Sequence, residues 1–141
     1  MEDKRTIGFE LRTLTNLIRR RMESRSHLNS ITPMHSWAIT FLYENRNKDI
    51  FQKDFEDEFS IRRSTSTKIL QLMEKNGLIT RHSVEYDGRL KKIVLTQKAI
   101  EYYFIIAEEI NLLEELFIKG ISQEELDAFF ATMDKIKKNL E

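Results

Sequence analysis

Residues 60–96 read SIRRSTSTKILQLMEKNGLITRHSVEYDGRLKKIVLT, and this stretch decides the fold. Ser66, Ile69, Leu70 and Met73 recur at spacings that share one face of a helix over about Arg63 to Asn76, and Gly77 follows as a residue suited to a left-handed cap. Ser64, Thr65, Thr67, Lys68 and Gln71 then form the outer face. Two β-prone pieces come next, residues 78–81 and 92–95, with Asp87-Gly88 between them as the turn signal. A helix that presents short polar and cationic side chains suits the base edges of a major groove. A basic hairpin beside it suits the flanking backbone or minor groove.

The segments on either side read as helices. Ile7, Leu11, Leu14 and Ile18 form an amphipathic stripe in a first helix from about Lys4 to Arg25. Thr32-Pro33 is a cap followed by a first-turn proline, and it opens a second helix through Trp37, Phe41 and Leu42 to about Asn45. Asp49 with Gln52 three residues on fits a capping box for a short third helix that buries Phe55 and Phe59, before a tight turn at Ser60-Ile61. Beyond the hairpin, Thr96 caps a long fifth helix whose Ala99, Tyr103, Ile106, Ile110, Leu113 and Phe117 alternate by four and three residues, the spacing of a coiled-coil seam. Gly120 breaks that helix. Ser122 and Glu125 form a second capping box for a sixth helix striped by Leu126, Phe129, Phe130, Met133 and Leu140.

Composition bounds the function. The 141 residues, 40% hydrophobic and 33% charged, suit one globular domain, and the absence of cysteine excludes disulfides, thiolate catalysis and thiolate zinc sites. The start lacks the apolar core of a secretion signal and no apolar run approaches a bilayer span, so a soluble, cytoplasmic protein without a membrane partner is expected. Formal net charge is zero, yet residues 60–96 carry a net +5 and residues 97–141 a net −5. The positive excess coincides with the helix and hairpin, and the acidic end should face away from phosphate. Glu56, Asp57 and Glu58 bring acid close to the helix pair, and are expected to face away from DNA or to be neutralised by nearby arginines.

The order of three helices, a reading helix, a wing, a long helix and a last helix resembles the MarR family of winged helix-turn-helix regulators over nearly the whole chain. The resemblance is sharpest in Ser64-Thr65, in Met73-Glu74-Lys75-Asn76-Gly77-Leu78-Ile79 with Arg81, and in Asp87-Gly88-Arg89 followed by Leu95-Thr96. Glu56 departs from the family's small apolar residue, Phe51 from its capping hydroxyl and Ala99 from a frequent glycine. The resemblance implies a mainly α fold. A winged lobe over residues 32–96, with a two-stranded β wing, would be carried by dimerisation helices over 4–28 and 97–140. It also implies a homodimer on a palindromic operator in double-stranded DNA, acting as a repressor and released by a small aromatic or lipophilic effector.

Carried onto this sequence, the DNA-binding set is Arg62, Arg63, Ser64, Thr65, Thr67, Lys68, Gln71, Arg81, Asp87, Arg89 and Lys91. Arg89 stands where the family places a minor-groove arginine, and Asp87 can hold its guanidinium at a fixed angle. A surface ion pair without a DNA role is the plainer reading of that pair. The dimerisation set is Ile7, Leu11 and Leu14, then Tyr103, Ile106, Ile110, Leu113 and Phe117, then Phe129, Phe130 and Met133. Arg12, His35, Trp37 and Phe41 are candidates to line an effector cleft, although a Trp and a Phe four residues apart are more often core. Arg19, Arg20 and Arg21 read first as partners of the acidic C-terminal helices and second as a further DNA-backbone contact.

Other classes fit less well. His27, His35 and His82 lack paired ligand spacing, so no metal and no cofactor is expected. No nucleophile elbow, zinc-protease motif or glycine-rich phosphate loop occurs among only four glycines, which argues against an enzyme. A winged-helix module that binds protein instead of DNA is the alternative, since fold does not fix function.

Overall fold

A computed structural model describes residues 5–25 and 32–141. Lys4 and residues 26–28 of the expected first dimerisation segment, with His27 among them, lie outside the described residues. The elements run α1 (Ile7–Arg25), α2 (Pro33–Glu44), α3 (Gln52–Phe59), α4 (Arg63–Lys75), β1 (Ile79–Val84), β2 (Asp87–Leu95), α5 (Gln97–Phe117) and α6 (Gln123–Leu140). This is the mainly α, winged helix-turn-helix order expected. Two compact units meet between Glu109 and Ile110, inside α5.

Local chemistry explains each boundary in the first unit. The Thr32 hydroxyl accepts the His35 amide at 3.2 Å and Pro33 occupies the first turn of α2. α3 departs from the expected box: its N-cap is Phe51, whose amide donates to the Asp54 carboxylate at 2.9 Å. Asp49 is used elsewhere. Its carboxylate accepts from the Tyr86 hydroxyl at 3.2 Å and lies 3.9 Å from the Lys92 ammonium, which ties the wing to the loop before α3.

Between α3 and α4 the chain turns at Ser60, a left-handed residue with φ of 51°, and the Ile61 amide reaches back to the Glu56 carbonyl at 3.1 Å. The crossing is filled by Phe55, which is fully buried and lies with Phe41 and Phe59 in a cluster of tilted rings 4.8 to 6.3 Å apart. Leu70 and Met73 complete the floor beneath α4. α4 ends in a Schellman motif: Gly77 has φ of 72° and the Leu78 amide donates to the Met73 carbonyl at 2.9 Å, with the Leu78 side chain buried.

β1 and β2 pair antiparallel from Ile79 opposite Leu95 to Ser83 opposite Lys91, and then Val84 lies opposite Asp87. The turn is therefore Glu85-Tyr86, not Asp87-Gly88, and the irregularity leaves Gly88, Arg89 and Leu90 without partners across the wing. Both strands are longer than the β-prone pieces because the tip continues the ladder. The Ile93 amide also donates to the Ile50 carbonyl at 2.7 Å, so the loop before α3 borders the sheet.

Thr96 joins the wing to α5. Its hydroxyl donates to the Gly77 carbonyl at 2.6 Å and accepts the Ala99 amide at 3.3 Å, while Lys98 donates to the Asn76 carbonyl at 3.0 Å. The ring of Tyr103 on α5 stacks on Tyr43 of α2 with centroids 3.8 Å apart. In the second unit the end of α5 turns through Gly120, with φ of 78°, and the Ser122–Glu125 box opens α6 as expected.

A Cβ at Gly77 would meet no atom within 4 Å, so its cost there is conformational alone. Gly77→Ala should lower stability by about 1–2 kcal/mol, the penalty for an L-residue held left-handed, with the wing retained. Urea unfolding followed by circular dichroism measures it.

Candidate nucleic-acid interface

α4 separates its two faces sharply. Ser66, Leu70 and Met73 are buried, whereas Arg62, Arg63, Ser64, Thr65, Lys68 and Gln71 are exposed. Arg62 is the N-cap and makes no side-chain cap bond. The first-turn amides of α4 thus carry the positive end of the helix dipole without a side chain across them.

Thr67 departs from the outer-face assignment. It is half-buried, and its hydroxyl accepts from the Gln52 amide nitrogen at 2.8 Å. The same nitrogen donates to the hydroxyl of buried Ser66 at 2.9 Å, and Ser66 in turn donates to the Glu56 carboxylate at 3.0 Å. Glu56 is thus turned into the helix crossing, where it accepts a hydrogen bond from Ser66. Asp57 and Glu58 are exposed. Sequence reading missed this network. The signal was present in the four-residue spacing of Gln52 and Glu56, which puts two polar groups on one face of α3.

The wing presents Arg89 to solvent with its side chain 92% exposed. Asp87, largely covered, accepts the Arg89 backbone amide at 2.9 Å and the guanidinium Nε at 3.3 Å. This is the clasp expected of the pair. The Arg89 amide, and after it the guanidinium, hold the Asp87 carboxyl below its ordinary range. Lys91, also exposed, donates to the Ser83 hydroxyl at 2.9 Å across the ladder. Arg81 is less available: its Nε is buried and makes no hydrogen bond among the described residues, and it lies 3.6 Å from the Glu74 carboxylate at the end of α4. An open cleft of about 370 Å³, lined by Gln71, Glu74, Arg81 and Lys91, separates the reading helix from the wing.

The residues assigned to a dimer divide into two groups. Ile106 and Leu113 are already buried in the single chain, and Tyr103 is half-buried against Tyr43. The four-three stripe of α5 thus marks a face covered at home, because periodicity registers burial without saying which chain provides it. Leu11, Ile110, Phe117 and Met133 are half-buried, while Ile7, Leu14, Phe129 and Phe130 are exposed. Phe104, Ile105, Leu112 and Leu116 add exposed apolar surface to α5 that the stripe did not include. Arg19, Arg20 and Arg21 are exposed on α1.

Of the effector candidates, Phe41 belongs to the ring cluster with Phe55 and Phe59, and Arg12 is exposed. Trp37 is partly exposed. His35 is buried, its Nδ1 has no hydrogen-bond partner among the described residues, and burial pushes its pKa down. Among the described residues no cluster of potential metal ligands forms, and no helix is long and apolar enough to cross a membrane.

A reading helix fixed across α3, with a two-stranded wing hung from its C-terminus, defines a winged helix-turn-helix protein. Comparison with known proteins narrows the class. A sequence profile described as the MarR family matches residues 29–90. The transcription regulator MarR from Oenococcus oeni PSU-1 is 28% identical and superimposes with a TM-score of 0.82, covering 94% of this chain and 99% of that one. A DNA complex of S. aureus MepR superimposes with a TM-score of 0.88 at 20% identity, covering 98% and 100%. The heme sensor PefR from Streptococcus agalactiae, solved with heme, gives 0.67 at 24% identity, covering 99% and 95%. The chain thus resembles the MarR family over residues 29–90 and shares the winged-helix fold of these transcription regulators over nearly its whole length.

The Asp87 shift has a testable division of causes. A carboxyl held below its unfolded pKa contributes stability above the ordinary carboxylate range, and that contribution is lost as pH falls through the lowered folded value. The backbone amide is the larger cause, so Arg89→Ala should let the Asp87 pKa rise only part of the way to its ordinary value. A carboxyl-carbon NMR titration of the two proteins decides it; a complete return would assign the shift to the guanidinium.

Proposed function

We propose that this chain is a DNA-binding transcriptional repressor that acts as a homodimer on a palindromic operator. The observation that carries the reading is the division of α4, with one face locked on the core and an exposed face of Arg62, Arg63, Ser64, Thr65, Lys68 and Gln71. Arg89, held by Asp87 at the wing, supplies a cation of fixed direction for a minor groove. The net +5 of residues 60–96 puts the attraction for phosphate on the same segment. The DNA complex of MepR, a fold of the same shape, supports this reading by analogy.

Selection of bound fragments from genomic DNA tests the proposal and yields the operator. Binding to the recovered duplex should fall with salt by a log–log slope of about −0.9 for each phosphate contact. Arg89→Ala should cost about 1–3 kcal/mol in operator affinity with the melting temperature unchanged. A salt-independent interaction, or a fragment pool without enrichment, favours a protein-binding winged helix instead.

The homodimer rests on exposed apolar surface on α1, α5 and α6, which a solitary chain leaves in water. Phe130 is 56% exposed, so Phe130→Glu should leave the fold of the single chain intact while weakening association. Sedimentation velocity should then show a shift toward monomer at concentrations where the unmodified chain is dimeric, with tight operator binding lost in parallel. A dimer of unchanged strength would remove α6 from the interface.

Release by a small aromatic or lipophilic ligand completes the proposal. Relatives include a sensor solved with heme, and Trp37 and His35 on α2 are the candidates here with surface or bonding capacity to spare. Arg12 is exposed on α1, and Phe41 serves the core.

A further inference from the structure

We propose that Gln52 is a positioning residue that makes the Thr67 hydroxyl a hydrogen-bond donor toward DNA; the inference rests on the DNA-binding reading above. The Gln52 side-chain nitrogen lies 2.8 Å from Thr67 Oγ1, 2.9 Å from Ser66 Oγ and 3.5 Å from the Arg63 carbonyl oxygen. Placed as nitrogen, this atom can donate to the surrounding oxygens, whereas an amide oxygen there would stand 3.5 Å from a carbonyl that can only accept. Its two hydrogens are then spent on the two hydroxyls.

Each hydroxyl that accepts from Gln52 must direct its own proton elsewhere. Ser66 is fully buried and has acceptors at hand, the Glu56 carboxylate at 3.0 Å and the Arg63 carbonyl at 2.9 Å. Thr67 has none: among the described residues its hydroxyl makes no hydrogen bond as a donor. Thr67 is half-buried at the margin of the exposed face, one turn from Ser64 and Gln71 and next to Lys68. Its free proton therefore belongs to the side of α4 that the proposed function gives to DNA. A hydroxyl is ordinarily indifferent, able to give or take a bond. With one lone pair engaged by Gln52, this one is biased to give, and so selects acceptors: a phosphate oxygen, a purine N7, guanine O6 or thymine O4. The amino groups of adenine and cytosine are disfavoured opposite it.

Gln52→Glu keeps the shape of the side chain and reverses the bond. A carboxylate at residue 52 accepts from Thr67, turns its proton inward and leaves lone pairs facing DNA. Gln52→Leu removes the bond without adding charge. Thr67→Val removes the hydroxyl, and the four proteins with either residue 52 variant form a double-mutant cycle on the operator recovered by fragment selection. In the Thr67 background, Gln52→Leu should weaken operator binding about fivefold, the worth of one hydrogen bond, and Gln52→Glu more, because it adds negative charge. In the Thr67→Val background, Gln52→Leu should have no further effect, and Gln52→Glu should retain only its charge penalty. Single-base operator variants separate the two acceptor sources. A loss confined to one base position means a base edge, and an equal loss on every sequence means a phosphate.

Additive losses in both cycles, at unchanged melting temperature, would overturn the inference while leaving DNA binding intact. If Gln52→Leu unfolds, the Gln52→Glu cycle alone decides by the same criterion. Absence of binding by the unmodified chain would remove the DNA reading and this inference together.

Discussion

One hydrogen bond, 2.6 Å from the Thr96 hydroxyl to the Gly77 carbonyl, closes a loop of chain on which the rest of the winged lobe depends. Gly77 stops α4 in a left-handed conformation and sends the chain into β1. β2 returns to the starting point, where Thr96 binds the last turn of α4 and at once caps α5. The wing, the reading helix and the long helix thus share a single junction, reinforced by Lys98 on the Asn76 carbonyl. Helix ends leave carbonyls without partners, and here that of Asn76, together with the Gly77 carbonyl just past the helix, docks the next helix.

The charges around this junction do different work from the hydrogen bonds. The pairs Arg89–Asp87 and Lys92–Asp49 are both substantially exposed on at least one side, and solvent screening leaves such pairs little to contribute to stability. Their value lies in direction. Asp87 accepts both the Arg89 backbone amide and its guanidinium Nε, and Asp49 accepts from Tyr86 and lies beside Lys92, so the wing is anchored at its turn as well as at its root. Arg81 and Glu74 span the cleft between these anchors, with little solvent around the arginine.

How far the sequence could be read depends on the range of each interaction. α2, α4 and α6 are specified by caps and periodicity within a few residues, Thr32-Pro33, Gly77 and Ser122–Glu125, and they stand where those signals put them. Asp87 and Arg89 lie two apart, so their clasp was legible too. The wing turn was misplaced because Asp-Gly is a turn signal only when nothing nearby competes. Here Asp87 takes the Arg89 amide inside an irregular strand, and Glu85-Tyr86 makes the turn. Asp49 carried a cap signature that is used across 37 residues instead, on Tyr86. The α5 stripe was a true index of burial, but Tyr43 covers part of it from within the chain.

The α3–α4 crossing was the least legible part, and it shows what a polar contact adds that an apolar one cannot. Phe55 supplies the burial there, and a small apolar residue in place of Glu56 would pack against it without specifying any orientation. Gln52, Ser66 and Glu56 instead form a chain of bonds with a direction, from amide to hydroxyl to carboxylate, with the Arg63 carbonyl as a second acceptor for Ser66. Burial of Ser66 obliges that chain to be complete, because an unsatisfied hydroxyl in the core costs about 1–3 kcal/mol. Thr67 branches from the same amide but sits at the edge, where the obligation lapses. A network required by the core therefore ends in a hydroxyl whose remaining proton is unclaimed, on the helix whose outer face presents Arg63, Ser64, Lys68 and Gln71.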